Sequence, residues 1–252
     1  MQQRSVILSQ KDFKDFFAFL NLIRTECKDF SIENGTFRSR SNDRVWIIET
    51  ELSFLKTVTF SLPNLKDLLK MISQIEKKND IEIVIDEEKV IFKDHYQGLS
   101  IPHANQKFLD NEFVTRQELE SIFHINTENL FHSEYFPPEI VKKIKSIAKT
   151  LYAPSVRITH QEHNLNNGLL LIVGRSNDRS NYQLTLKEAF NTPMKPNHYF
   201  HIAINPFEVC KSGISINYYL SDDDIILHAC HIIKINDLTI KFYGRSPLIE
   251  ET

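Results

Sequence analysis

The feature that most constrains the fold is an internal echo. Arg40-Ser41-Asn42-Asp43-Arg44 returns as Arg175-Ser176-Asn177-Asp178-Arg179, and Asn34-Gly35 returns as Asn167-Gly168, each displaced by roughly the same half of the chain. Two matched signals at nearly one offset are hard to obtain by chance, and self-similarity at a fixed period marks repeated structural units. A chain of 252 residues is long enough to hold two domains of common size. Two like domains are therefore expected, over 1–114 and 130–252, with the charged, aperiodic stretch 115–129 as the connector between them.

The order of elements repeats as well. A strand over 5–8 precedes a helix from Gln10 to Arg24, whose Phe13, Phe16, Phe17, Leu20 and Ile23 share one face. Strands follow at Asp29–Glu33, Thr36–Arg40 and Arg44–Leu52, the first two joined by the hairpin signal Asn34-Gly35. A strand from Leu55 to Leu62 leads to a helix opened by Pro63, with Leu65, Leu68, Leu69, Ile72 and Ile75 as its core stripe. Strands at Ile81–Asp86, Lys89–Asp94 and Gly98–His103 close the first half. The second half opens with a strand at Leu130–Tyr135 and a helix over 137–150 started by Pro137-Pro138. Strands at Ser155–Gln161, Gly168–Gly174, Tyr182–Leu186 and Tyr199–Ile204 come next, then a short helix at Asn205-Pro206 and strands at Ile214–Leu220, Asp224–His231 and Leu238–Tyr243.

Charge is segregated by element. On the 137–150 helix Ile140, Val141, Ile144, Ile147, Ala148 and Leu151 form an apolar stripe, while Lys142, Lys145 and Lys149 stand in a row at i, i+3 and i+7. Taken alone, such a row is as well explained by a solvated helix face. The four helical segments together, however, carry a net +6 in a chain whose overall charge is −3. Basic helices against acidic strands and loops give two electrostatic faces, and the basic one could follow a phosphate backbone without reading sequence.

Several other chemistries find no support. The six glycines form neither GxGxxG nor a phosphate-binding P-loop. His228-Ala229-Cys230-His231 places His228 and Cys230 on one strand face and His231 on the other, without a second ligand pair at zinc-like spacing. Asp222-Asp223-Asp224 and Glu87-Glu88 read as turns, and His160 and His163 bracket another. No catalytic triad, paired-acid site, metal site or cofactor is expected. Cys27, Cys210 and Cys230 fit buried free thiols in a reducing compartment. No run is long and apolar enough for a membrane span or a signal peptide, so an intracellular chain is expected.

The chain resembles the sliding clamps of DNA replication, the family of proliferating cell nuclear antigen. The resemblance is carried by the order of elements and by Ile23-Arg24-Thr25-Glu26-Cys27-Lys28-Asp29-Phe30, Phe37 to Leu52, Asn64 to Val84, and Leu238-Thr239-Ile240-Lys241-Phe242-Tyr243. It implies an α+β fold of two similar clamp-type domains, helices on the inner face and antiparallel sheets outside, closing as a homotrimeric ring around double-stranded DNA. It implies DNA contacts at Lys14, Lys70, Lys142, Lys145, Lys149 and Lys211, with Lys11, Lys66, Lys77 and Lys143 as additional ones. It further implies an apolar partner pocket near Val45, Phe123, Ile125, Tyr243 and Pro247. There Arg40 stands where the family usually has an apolar residue, with Arg44 beside it, and both would favour an acidic peptide. Subunits would meet through edge strands at Lys107–Thr115 and Asn181–Lys187.

The resulting expectation is a non-enzymatic processivity factor that tethers a DNA polymerase and is opened by a clamp loader, acting at replicating DNA in a nucleus or a bacterial or viral replication site. The alternative is a clamp-fold accessory protein or checkpoint-type subunit working as monomer, dimer or hetero-ring. A DNA-modifying enzyme would need an acidic or metal cluster beside the lysines.

Overall fold

The computed structural model describes residues 4–42, 46–75, 79–103, 130–160, 168–173, 181–185, 198–220, 226–235, 237–247 and 249–250. Arg44, Val45, Lys77, the 107–115 strand, the connector with Phe123 and Ile125, the second Arg-Ser-Asn-Asp-Arg copy, His163 and Asp222-Asp223-Asp224 lie outside these residues. The chain is α+β, with antiparallel sheets and few helices. Two compact units emerge: Met1–Leu119 with Asn236–Ile240, and Glu120–Ile235 with Lys241–Thr252.

The first unit runs β1 (Arg4–Leu8), α1 (Gln10–Ile23), β2 (Phe30–Glu33), β3 (Thr36–Arg40), β4 (Ile47–Glu51), a 3-10 turn (Ser53–Leu55), β5 (Thr59–Leu62), α2 (Leu65–Ile72), β6 (Ile81–Ile85), β7 (Lys89–Lys93) and β8 (Gly98–Pro102). Its strands form two sheets, ordered β1-β6-β7-β8 and β5-β2-β3-β4. The β2–β3 hairpin turns on Asn34 and Gly35 at φ 48° and 85°, the two positive values that a tight hairpin consistent with strand twist demands.

Three local departures from the sequence pattern have clear causes. The expected strand from Leu55 becomes a 3-10 turn followed by β5, because Leu52, Leu55 and Val58 recur every third residue. A turn with three residues per revolution buries all three, whereas a strand would split them between faces. On α1 the buried stripe is Phe13, Phe16, Phe19, Leu20 and Ile23, and Phe17 is only half-buried. Phe19 takes the central place because its ring meets Phe37 edge-on at 4.8 Å, and Phe37 stacks on Phe30 at 5.1 Å. Finally, Pro63 lies ahead of α2. The cap is Asn64 at φ 57°, whose side chain accepts from the Asp67 N–H and whose own N–H donates to Asp29 Oδ1 at 2.8 Å. Ile75 stays buried one turn past the end of α2.

The second unit runs β9 (Leu130–Phe136), α3 (Pro138–Leu151), β10 (Ser155–His160), β11 (Gly168–Val173), β12 (Asn181–Thr185), β13 (His198–Ala203), α4 (Asn205–Val209), β14 (Ile214–Leu220), β15 (Ile226–Ile235), the part of β16 (Leu238–Pro247) from Lys241 onward, and β17 (Ile249–Glu250). One sheet is ordered β12-β11-β10-β13-β17, with β12 at its edge; the other runs β9-β14-β15-β16. β15 and β16 extend past the expected ends at His231 and Tyr243, to Ile235 and Pro247. The small strand β17 pairs with β13 through Tyr199 and Ile249, a pairing with no local sequence signal.

On α3, Val141, Ile144 and Ala148 are buried, with Ile140, Ile147 and Leu151 at the margins of the stripe. Phe207 of α4 lies between β9 and β15, edge-on to Phe136 at 5.6 Å and to His231 at 6.1 Å. All three cysteines are free and buried, and burial pushes the Cys27 thiol up to about 12, which leaves it unreactive.

Candidate nucleic-acid interface

Helices pair within each unit: α1 contacts α2, and α3 contacts α4. Each pair buries its apolar stripe and, Lys145 apart, leaves its described lysines outward. The amphipathic period dictates this result, since a residue three or four positions from a buried one shares its face while the intervening ones do not.

In the first unit Lys11, Lys14, Lys66 and Lys70 are exposed. Lys11 Nζ lies 3.1 Å from Asp237 Oδ2, and that hydrogen bond, with the Asp237 charge behind it, raises the ammonium above its usual range. Lys70 Nζ lies 3.1 Å from Asp67 Oδ1 one turn back; the bond holds the Asp67 carboxyl below its ordinary range. Both are exposed pairs, weak and screened by salt, which an incoming phosphate can displace. Among the described residues Lys14 and Lys66 have no salt-bridge partner.

In the second unit Lys142, Lys143, Lys149 and Lys211 are exposed and Lys145 is half-buried. Lys142 and Lys149 are two turns apart on α3, about 10 Å along its axis at the rise of a regular helix. Neither forms a salt bridge among the described residues. Lys145 differs from its neighbours: its Nζ donates to the carbonyl oxygens of Glu208 at 3.0 Å and Cys210 at 3.1 Å, at the C-terminal end of α4. The sequence row thus separates into two solvent-facing lysines and one engaged by main chain. Its spacing, four after Val141 and three before Ala148, sets Lys145 beside the buried stripe, but its acceptors, more than 60 positions away, have no local signal.

Of the residues expected at the partner pocket, Arg40 is half-buried at the end of β3, opposite Ile47. Tyr243 is buried in β16 and Pro247 is the last residue of that strand. Arg44, Val45, Phe123 and Ile125 fall outside the described residues. In the His228-to-His231 stretch, Cys230 and His231 are both buried, and desolvation holds the His231 imidazole down to about 3, hence neutral. Among the described residues no group of three or more His, Cys, Asp or Glu could hold a metal ion.

The chain superposes on a proliferating cellular nuclear antigen from Entamoeba histolytica with a TM-score of 0.59, covering 96% of this chain and 98% of that one at 14% identity. The chain has a sliding-clamp-like fold. A PCNA2-PCNA3 complex from Sulfolobus tokodaii gives a TM-score of 0.59 at 13% identity, covering 97% and 99% of the two chains. DNA polymerase III subunit beta from Borrelia burgdorferi gives 0.64 at 12% identity, with 98% of this chain matched to 65% of the longer one. At these identities the clamp fold is what is shared. By sequence, no family model and no curated protein matches the chain.

Proposed function

We propose that this protein is a DNA sliding clamp: a ring of two-domain subunits that encircles duplex DNA and tethers a replicative polymerase. The observation that carries the reading is the near-complete coverage of a clamp fold by a chain whose helices present exposed lysines while its net charge is −3. In this reading the domains are 1–114 and 130–252, with 115–129 as connector. Lys11, Lys14, Lys66, Lys70, Lys77, Lys142, Lys143, Lys149 and Lys211 supply a diffuse field on the inner wall, and the acidic remainder repels DNA from the outside.

Ammonium groups acting as point charges release counterions without reading bases, so the ring is held yet slides. Affinity then falls with salt at a logarithmic slope of about 0.9 per phosphate neutralised. The polymerase and a clamp loader would dock near Arg40, Arg44, Val45, Phe123, Ile125, Tyr243 and Pro247. No chemical step is assigned to the chain itself, and its place of work is replicating DNA. Among the described residues no helix is long and apolar enough to cross a membrane.

Light scattering on the eluting protein tests the ring: a mass of three chains supports it, and a strict monomer at high concentration sinks it. The second reading, a subunit of a hetero-ring, is favoured by one observation, that one of the matched structures is a complex of two differently named chains. A monomer that assembles only with a paralogous chain would select it. In either assembly, Lys142→Glu with Lys149→Glu should abolish retention on circular duplex DNA without changing the mass.

A further inference from the structure

Resting on the reading of the lysines as phosphate contacts, we propose that Lys145 is a positioning residue that fixes Lys211 on the DNA-facing surface, and that its own ammonium does not contact phosphate. Four observations lead there. The half-buried Lys145 spends two of its three N–H donors on the Glu208 and Cys210 carbonyls. A helix as short as α4 leaves its last carbonyls without intrahelical partners, and a cation at that end satisfies them. The chain just beyond is pinned again: the Cys210 thiol donates to Ser212 O at 2.7 Å, and the Ser212 hydroxyl lies 3.2 Å from Lys234 O, reaching into β15. Gly213 then passes beneath Tyr135, so closely that a Cβ there would run into the phenol oxygen.

Lys211 is therefore the exposed residue between two anchored neighbours. Its backbone is held on one side through Cys210, where Lys145 is one of several anchors, and on the other through Ser212, while its side chain is exposed. Substituting Lys145 removes one of the anchors on Cys210, leaving its N–H on the Pro206 and Phe207 carbonyls at 3.2 Å, and the Lys211 ammonium then samples more directions. The effect would be read at Lys211. The neighbouring Lys142 and Lys149 keep their places, because α3 is held by its own buried stripe.

The test is a double-mutant cycle on the assembled protein, binding a duplex oligonucleotide across a salt series. Lys211→Met should lower the logarithmic salt slope by about 0.9 for each phosphate that is no longer neutralised, and Lys145→Met by a similar amount. The double variant should fall no further than either single one. Ser212→Ala, which changes no charge, should lower the slope in the same direction, and Lys145→Met should also speed amide exchange at 208–213. Additive decreases from Lys145→Met and Lys211→Met would overturn the proposal, since each lysine would then hold its own phosphate. An unchanged slope in both Lys145→Met and Ser212→Ala would overturn it too. A wild-type protein whose DNA affinity ignores salt would instead overturn the clamp reading itself, a distinguishable result.

Discussion

Arg38 of β3 and Glu49 of β4 stand directly opposite one another, and the Arg38 Nε donates to Glu49 Oε2 at 3.0 Å. A second carboxylate, Glu33, accepts from the same guanidinium at 3.2 Å. The Arg38 side chain is only 7% exposed and that of Glu49 13%, so water cannot replace the partner of either. Arg38→Met should therefore cost about 1.5–3 kcal/mol, the usual consequence of removing a charge-assisted hydrogen bond from a largely buried carboxylate. Adding Glu49→Leu should recover a large part of that cost. Urea unfolding of the single and double variants checks both halves, and an Arg38→Met protein as stable as wild type would show that the pair contributes nothing.

How much of this was legible beforehand can be said residue by residue. The α1 and α3 stripes, the Asn34-Gly35 turn and the buried thiols follow from local periodicity or turn chemistry, which a single chain displays openly. Phe19 fits that period too, three residues after Phe16 and four before Ile23, and what a single chain does not display is the Phe37 ring it meets. Arg38 reads as one polar position in an alternating strand, and its burial depends on carboxylates set by the pairing register of neighbouring strands. Lys145 is the instructive case: its spacing from Val141 and Ala148 sets it at the edge of the buried stripe, yet only the tertiary approach of α4 supplies the carbonyls that hold it. Local rules give the face of a side chain, and long-range packing decides its partner.

His231 gives the fold a defined pH dependence. It is fully buried beside Phe207, and desolvation holds its pKa down to about 3, against roughly 6.5 in an unfolded chain. Between those values the unfolded state binds a proton that the native state refuses, so stability rises with pH there. The contribution is complete above the unfolded value and drains away as pH falls towards the folded one, at up to about 1.4 kcal/mol per pH unit. Unfolding midpoints at pH 7, 6 and 5 should show a shallower decline in His231→Leu than in wild type. Parallel curves would mean that the imidazole titrates alike in both states.

Gly35 should tolerate no side chain. Its φ of 85° is strained for an L-residue, and a Cβ would sit 3.0 Å from both the Leu52 carbonyl oxygen and Lys56 Cα, which are main-chain atoms unable to step aside. The Leu52 N–H also donates to the Gly35 carbonyl at 2.7 Å, so a shift of the turn would disturb the entry to the 3-10 segment. Gly35→Ala is expected to destabilise by about 1–3 kcal/mol. Asn34→Gly, at a φ of 48°, should be close to neutral. Thermal melts of the pair check the contrast, and an equal effect at both positions would place the strain elsewhere.

The end of α3 holds a stabilising substitution in reserve. Tyr152 occupies the left-handed position after the last turn at φ 51°, where the Ala153 N–H donates to the Ala148 carbonyl at 2.8 Å and the Tyr152 N–H reaches Lys149 O. That is the six-to-one and five-to-two pattern of a helix stop usually made by glycine, here made by an aromatic residue that is 75% exposed and gains little from packing. Left-handed backbone costs an L-residue about 1–2 kcal/mol, while glycine avoids that strain but loses more entropy on folding. Tyr152→Gly should accordingly raise stability by a net of about 0.5–1 kcal/mol. Tyr152→Val, whose branched Cβ tolerates this region least, should lower it. Denaturant midpoints for the two variants should therefore move in opposite directions from wild type. If both fell together, the phenol ring would be contributing packing that outweighs the strain of its backbone.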